Sequence, residues 1–263
     1  MSNKILEVKN LDFSYKDKKI LNNINLDFKK GKFIGITGKN GSGKSTFAKL
    51  IAGLERPHSG GVFFESKEIT EESIHDIRPY ISMVFQNPNN QIIASKVIDD
   101  LAFGLENLGL SRPKMIERIY ETSRKLGIEH LLNKNPEELS GGQKQIVAIG
   151  GILVFNPKII ILDEITSMLD LHSKKKVFDL IKTLKNEHTI IMISHDSKEL
   201  AHTDRVIIFN KGKVEEDLKP FDLFTNNSLL DKYDLEKPFD YKLFEKFPEQ
   251  CERLGVCIGN KNR

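Results

Sequence analysis

Apolar and polar residues alternate from Leu11 to Tyr15 (LDFSY) and again from Ile24 to Phe28 (INLDF). That is the pattern of strands buried on one face, and it predicts an antiparallel edge layer. Four later runs differ: FIGIT (33–37), ISMVF (81–85), KIIIL (158–162) and TIIMI (189–193) are nearly continuous in apolar residues. Such runs suit parallel strands covered on both faces by helices. Between Asn87 and Gly150 the apolar spacing turns helical, as in KVIDDLAFGLENL and PKMIERIYETSRKLGI. Pro113, in the SRP at 111–113, marks a first helical turn. This stretch, 87–150, is expected to form an inserted helical subdomain. NKGK (210–213) predicts a hairpin turn, and the residues beyond it, spotted with Phe and Leu and broken at Pro220 and Pro238, predict short packing helices. The expected fold is α/β, with a parallel-sheet core, an antiparallel β layer and a helical insertion over 1–215, then a helical tail over 216–263.

The four apolar runs end in polar or glycine-rich residues. Gly38 opens GKNGSGKS, Gln86 follows Phe85, Asp163 and Glu164 follow Leu162, and Ser194 and His195 follow Ile193. Ligands of parallel α/β sheets bind at the carboxyl ends of the strands. One site assembled from four distant segments is therefore expected.

GKNGSGKS matches G-x-x-x-x-G-K-[ST] over Gly38, Lys39, Asn40, Gly41, Ser42, Gly43, Lys44 and Ser45, with Thr46 next. It follows a buried strand and precedes the helical FAKLIAGL, as a phosphate-binding loop requires. Backbone N–H groups freed by the glycines point inward, and the helix start adds partial positive charge. Polyphosphate is the expected ligand, with Lys44 on the outer phosphates and Ser45 on magnesium. A dinucleotide fingerprint would need a third glycine that this loop lacks. A plain glycine-rich turn fits the composition but not the context.

KIIILDE sends a strand through the core, so that Asp163 emerges where it can hold a magnesium shell. Glu164 can orient the attacking water and take its proton as general base. Alone, Gln86 and His195 would be ordinary polar residues at strand ends. Converging on one edge, Gln86 can sense magnesium and water, and His195 can hold the γ-phosphate.

LSGGQ (139–143) starts a second helix with anion-binding character at Ser140, Gly141, Gly142 and Gln143, but without the lysine and acid pair of a complete site. For this stretch alone an ordinary capped turn also fits. A head-to-tail dimer explains it as half a site: one subunit's Ser140–Gln143 closes over the nucleotide held by its partner.

Composition narrows the partners. The 263 residues are 39% hydrophobic, enough for a full core, and 40 basic against 37 acidic side chains leave a charge of +3. That balance gives no electrostatic reason to expect nucleic acid. Cys251 and Cys257 lack zinc-site spacing and are expected to be free thiols in a reducing compartment. The first residues lack a signal-peptide core, and no apolar run approaches the roughly 18–20 residues that span a bilayer. The chain is expected to be soluble, so a membrane role must come through partners.

The order of phosphate loop, Gln86, LSGGQ, KIIILDE, SMLD (167–170) and His195 resembles the ATP-binding cassette (ABC) family over residues 5 to 215. The resemblance implies an ATPase using ATP and Mg2+ that dimerises around two ATP molecules, with Tyr15 stacking on adenine. On the residues alone Tyr15 reads as a core strand position. VFQNPNNQI (84–92), DDLAFGLENLGL (99–110) and SMLD resemble the energy-coupling factor and cobalt-transporter branch. This implies a second ATPase subunit, a transmembrane coupling protein and a substrate-capturing membrane protein at the cytoplasmic face of the cell membrane. Vitamins or transition-metal ions are the cargo implied. A soluble ABC ATPase of iron–sulfur assembly is the alternative; a phosphate-loop kinase would have no use for LSGGQ. Ile146, Gly150, Ile165 and Leu171 depart from the family's usual Arg, Ala, Ala or Pro, and Pro. Loss of the Arg is expected to remove a fixed cation near the second helix start.

Overall fold

The alternating segments at the start of the chain form a long hairpin in the computed structural model, which describes residues 3–106 and 108–253. Strands β1 (Lys4–Tyr15) and β2 (Lys18–Lys29) pair antiparallel. Next come β3 (Phe33–Thr37), α1 (Lys44–Ile51), β4 (Ser59–Phe64) and β5 (Lys67–Glu68). Helix α2 (Ile74–Ile77) and β6 (Ile81–Val84) precede α3 (Val97–Glu106), α4 (Arg112–Leu126) and α5 (Gly141–Leu153). The chain continues through β7 (Ile159–Asp163), α6 (Leu171–Leu184), β8 (Thr189–Ile193), α7 (Ser197–Leu200), β9 (Arg205–Asn210) and β10 (Lys213–Leu218). Helices α8 (Pro220–Phe224), α9 (Asn227–Tyr233), α10 (Phe239–Lys246) and α11 (Pro248–Arg253) close the described chain. Two compact units result: one holds the residues up to Ser73 and from Thr189 onward, the other Ile74–His188.

In the first unit the antiparallel layer has the order β2-β1-β4-β5. Beside it β3 lies between β8 and β9, parallel to both, and β10 pairs antiparallel with β9. Every residue of FIGIT and TIIMI is buried, as continuous apolar runs require. Ile36 pairs with Ile193, so the chain leaves β3 and β8 at the same edge and level. Beneath that edge the Phe47 ring of α1 packs between Phe28, at 6.4 Å between centroids, and Phe209, at 5.1 Å. The tail helices cover β9: Leu223, Phe224, Leu230, Tyr233 and Tyr241 pack with Val206 and Ile208. Cys251 is a buried free thiol; Cys257 lies outside the described residues.

In the second unit β6 and β7 pair parallel, Ile81 with Ile159 and Val84 with Leu162. Leu101, Leu105, Ile119, Leu126, Val147 and Ile149 form the core between α3, α4 and α5. Ser111 is extended just before α4, Pro113 lies in its first turn, and Gly127 ends it in the left-handed conformation. Gly150 lets α5 approach closely, since a Cβ there would stand 3.1 Å from Leu101 and 3.2 Å from Leu126. The unit is wider than 87–150: it starts at α2 and also contains the β6–β7 pair and α6.

Phe47 supports the helix that follows the phosphate loop and is fully buried. Phe47→Ala is expected to cost about 3–5 kcal/mol of stability, read from the midpoint of urea unfolding.

Candidate functional site

The segment GKNGSGKS turns on three left-handed glycines, Gly38 (φ 139°), Gly41 (φ 76°) and Gly43 (φ 102°). Two of them also lack room for a side chain: a Cβ on Gly38 would stand 2.0 Å from the Phe209 carbonyl oxygen, and one on Gly43 2.6 Å from Leu21 Cδ2. Gly41 faces open space, so its conformation alone demands glycine. Inside the loop Ser42 N–H donates to the Lys39 carbonyl. The buried Lys44 ammonium donates to the carbonyls of Gly38 at 2.7 Å and Lys39 at 3.2 Å. A cation is thus fixed beside the N-terminus of α1, a combination suited to an anion. Thr37 and Ser42 hydroxyls are buried without a hydrogen-bond partner, a cost of about 1–3 kcal/mol each that is tolerated at the loop. Lys39, Asn40 and Ser45 are exposed and Thr46 is half-buried at the mouth.

Tyr15 and His195 belong to the same unit as this loop. Tyr15 ends β1, is 42% exposed and stacks edge-on against Phe13. Its hydroxyl donates to Glu55 Oε1 at 3.1 Å and lies in reach of the Thr46 hydroxyl. Desolvation, then Glu55, raise its pKa above the ordinary tyrosine value. It is an aromatic shelf at the mouth of the loop, not a core strand residue. His195 follows β8 and is exposed. The turn carrying it is braced from below: Ser194 Oγ donates to buried Glu199 at 2.5 Å and accepts from Asp196 N–H at 3.0 Å.

The acid pair lies in the second unit. Asp163 is buried as the last residue of β7, and Glu164 next to it is left-handed at φ 49°. Gln86, following β6, donates from Nε2 to Glu164 Oε2 at 3.3 Å and to Ser167 Oγ at 3.2 Å. Ser167 Oγ in turn donates to the Glu164 carbonyl at 2.7 Å. Parallel pairing of β6 and β7 brings Gln86 and Glu164 together, and the bridging Ser167 is the first residue of SMLD, a motif whose place in this site the sequence did not assign. The segment after Gln86 is tied to the helices: Asn89 accepts from Lys144, Gln91 donates to the Ala148 carbonyl, and Asp100 accepts from Ile93 and Ala94 N–H.

Ser140 caps α5 with a full capping box, its hydroxyl accepting from Gln143 N–H while Gln143 Oε1 accepts from Ser140 N–H. The two glycines that follow differ. A Cβ on Gly142 would stand 2.8 Å from Ser173 Cβ on α6, so packing requires that glycine. A Cβ on exposed Gly141 would meet only Leu169, at an ordinary 3.6 Å. Nothing in the described fold asks for glycine at 141. Among the departures, Ile146 is buried in the helical core, so an apolar contact replaces the expected cation. Ile165 is buried too, while Leu171 is 87% exposed.

A family model described as ABC transporter matches residues 21–167. The energy-coupling factor transporter ATP-binding protein EcfA1 of Ligilactobacillus salivarius is 46% identical over 98% of this chain and 91% of its own length. The structure of cbiO1 from Clostridium perfringens, described as part of the ABC transporter complex cbiONQ, is 34% identical. It superposes with a TM-score of 0.79 over 93% of this chain and all of its own. A bacterial ABC transporter cassette of dimeric structure, MJ0796, is 30% identical with a TM-score of 0.73 over 82% of this chain and 99% of its own. With a left-handed glycine loop around a buried lysine, an acid pair at a strand end and a capped SGGQ helix matched along nearly the whole length, the chain belongs to the ABC transporter family, among its energy-coupling factor ATP-binding proteins.

Proposed function

We propose that this chain is the ATP-hydrolysing subunit of an energy-coupling factor type transporter, working as a head-to-tail dimer that drives uptake of a vitamin or transition-metal ion through membrane partners. The observation that carries the dimer reading is Gly141. It is an exposed helix-start glycine that its own fold does not require, so close approach of something outside the chain explains it: a phosphate held by a second subunit. Exposed Met168 and Leu171 nearby in sequence suit burial against that subunit.

In this reading the loop 38–46 and Lys44 hold the phosphates, and Tyr15 stacks on adenine. Glu164 orients the attacking water and takes its proton. His195, on its braced turn, donates to the γ-phosphate and stabilises the charge that develops in transfer. Ser45, Gln86 and Asp163 offer hard oxygen donors suited to Mg2+. Among the described residues no cluster of three or more His, Cys, Asp or Glu could hold a metal ion, which fits an ion that takes much of its shell from nucleotide phosphates. Such an ion would neutralise phosphate charge.

Among the described residues no helix is long and apolar enough to cross a membrane. In this reading the chain attaches to the cytoplasmic face through its membrane partners. Ile93 and Phe103 are 67% and 54% exposed beside the segment tied to α3 and α5, and they form the surface we assign to the coupling protein's helices. Movement of Gln86 is passed to that surface through Gln91, Asn89 and Asp100. No observation favours the soluble iron–sulfur-assembly role.

Glu164→Gln is expected to bind ATP normally, accumulate as an ATP-bound dimer and turn over about 10²–10⁴-fold more slowly. Hydrolysis at the wild-type rate would remove Glu164 as the base. Ser140→Arg should leave ATP binding to single subunits intact and stop hydrolysis; unchanged turnover would count against the shared site. Gly141→Ala should keep stability within about 0.5 kcal/mol in urea unfolding while losing turnover. Gly142→Ala should cost about 1–3 kcal/mol by overpacking against Ser173.

A further inference from the structure

The NKGK turn between β9 and β10 has no part in the chemistry above, yet it touches the phosphate loop. Gly212 N–H donates to the Ser42 carbonyl at 3.1 Å, and the Gly212 carbonyl accepts from Asn22 N–H at 2.8 Å. A single residue therefore links the loop to β2. Lys211 and Gly212 are both left-handed, at φ 45° and 76°, as a tight two-residue hairpin turn requires. Gly212 is also hemmed in: a Cβ would stand 2.2 Å from the Ile20 carbonyl oxygen and 3.4 Å from Leu21 Cα. The same stretch of β2 limits Gly43, through Leu21. Beyond the turn the hairpin is stiffened, with Asn210 donating to Glu215 at 2.8 Å and the Tyr233 hydroxyl 3.0 Å from both Glu215 and Glu216.

We propose that Gly212 is a positioning residue of the nucleotide site: by holding the Ser42 carbonyl from outside, it sets the curvature of the loop whose N–H groups receive the phosphates, without touching the nucleotide. The proposal rests on the phosphate-loop reading. Its physical basis is that residues 38–43 include three left-handed glycines and would adopt many curvatures if untethered. Amides that must converge on one anion lose their function if that curvature drifts. The Ser42 carbonyl shares its peptide unit with the Gly43 N–H, so tying the carbonyl to Gly212 also orients that N–H.

The test uses the full-length chain and two alanine substitutions. Gly212→Ala drives a Cβ into the Ile20 carbonyl. Gly31→Ala places the same residue at a left-handed position, φ 69°, with nothing within 4 Å, and so carries the conformational penalty without the collision. Binding of a fluorescent ATP analogue with Mg2+, thermal melting and hydrogen exchange over 38–46 are measured on each. Both variants should melt earlier, but only Gly212→Ala should weaken nucleotide binding, by about tenfold or more, and speed exchange in the loop. If Gly212→Ala does not fold, Asn210→Ala, which removes the Asn210–Glu215 bond that stiffens the hairpin and adds no Cβ beside Ile20, takes its place and should likewise speed exchange in the loop and weaken nucleotide binding. Wild-type affinity in the Gly212 variant or its replacement, or equal weakening in Gly31→Ala, would overturn the proposal. Lys44→Ala separates the two levels: if it binds nucleotide like the wild type, the phosphate-loop reading has failed whatever Gly212 does.

Discussion

The carbonyl oxygen of Phe209 lies where a side chain on Gly38 would have to begin, 2.0 Å from its Cβ position. The backbone of the phosphate loop runs so close to β9 on one side and to Leu21 of β2 on the other that only glycine fits at 38 and 43. Closeness of this kind makes the loop's shape a property of its surroundings. The Lys44 ammonium can then be buried against two carbonyls of the same loop, and α1 starts where its N-terminal amides reinforce that charge. Beneath it, the rings of Phe28, Phe47 and Phe209 form the floor.

Left-handed backbone and unmet hydrogen bonds occur at the phosphate loop and the acid pair, as they also do in turns and at Gln145 and Tyr241. Three left-handed glycines and two buried unpartnered hydroxyls mark the loop, and a left-handed Glu164 marks the acid pair. A non-glycine residue at φ 49° persists because its neighbours hold it, here through the Ser167 hydroxyl on its carbonyl and the Gln86 amide on its carboxylate. Gln86 thus joins Glu164 to the segment tied to α3 and α5, which is the physical basis of the coupling proposed above.

The helical region shows how departures from a family pattern are absorbed. Ile146 fills a core position with apolar contact, and the bare backbone of Gly150 lets the Leu101 and Leu126 side chains close on α5. Both changes lie in the buried part of α5 and leave its exposed start, with its capping box, unaltered.

Strand runs, helix starts and the phosphate loop were legible in the residues, because each depends on local periodicity or on backbone needs that only certain residues meet. FIGIT and TIIMI are buried strands, Pro113 lies in a first helical turn, and NKGK is a tight turn. The family resemblance likewise needed only motif order. What no local pattern contained was contact between distant segments. Tyr15 stands exposed rather than in the core because β1 ends there; Ser167 bridges Gln86 and Glu164 only because β6 and β7 pair. Gly212 meets Ser42 across 170 residues, and Gly141 differs from Gly142 only in what α6 places beside it. A glycine in a sequence states that a side chain is absent; the tertiary structure decides whether a carbonyl, a helix or open space lies where that side chain would be.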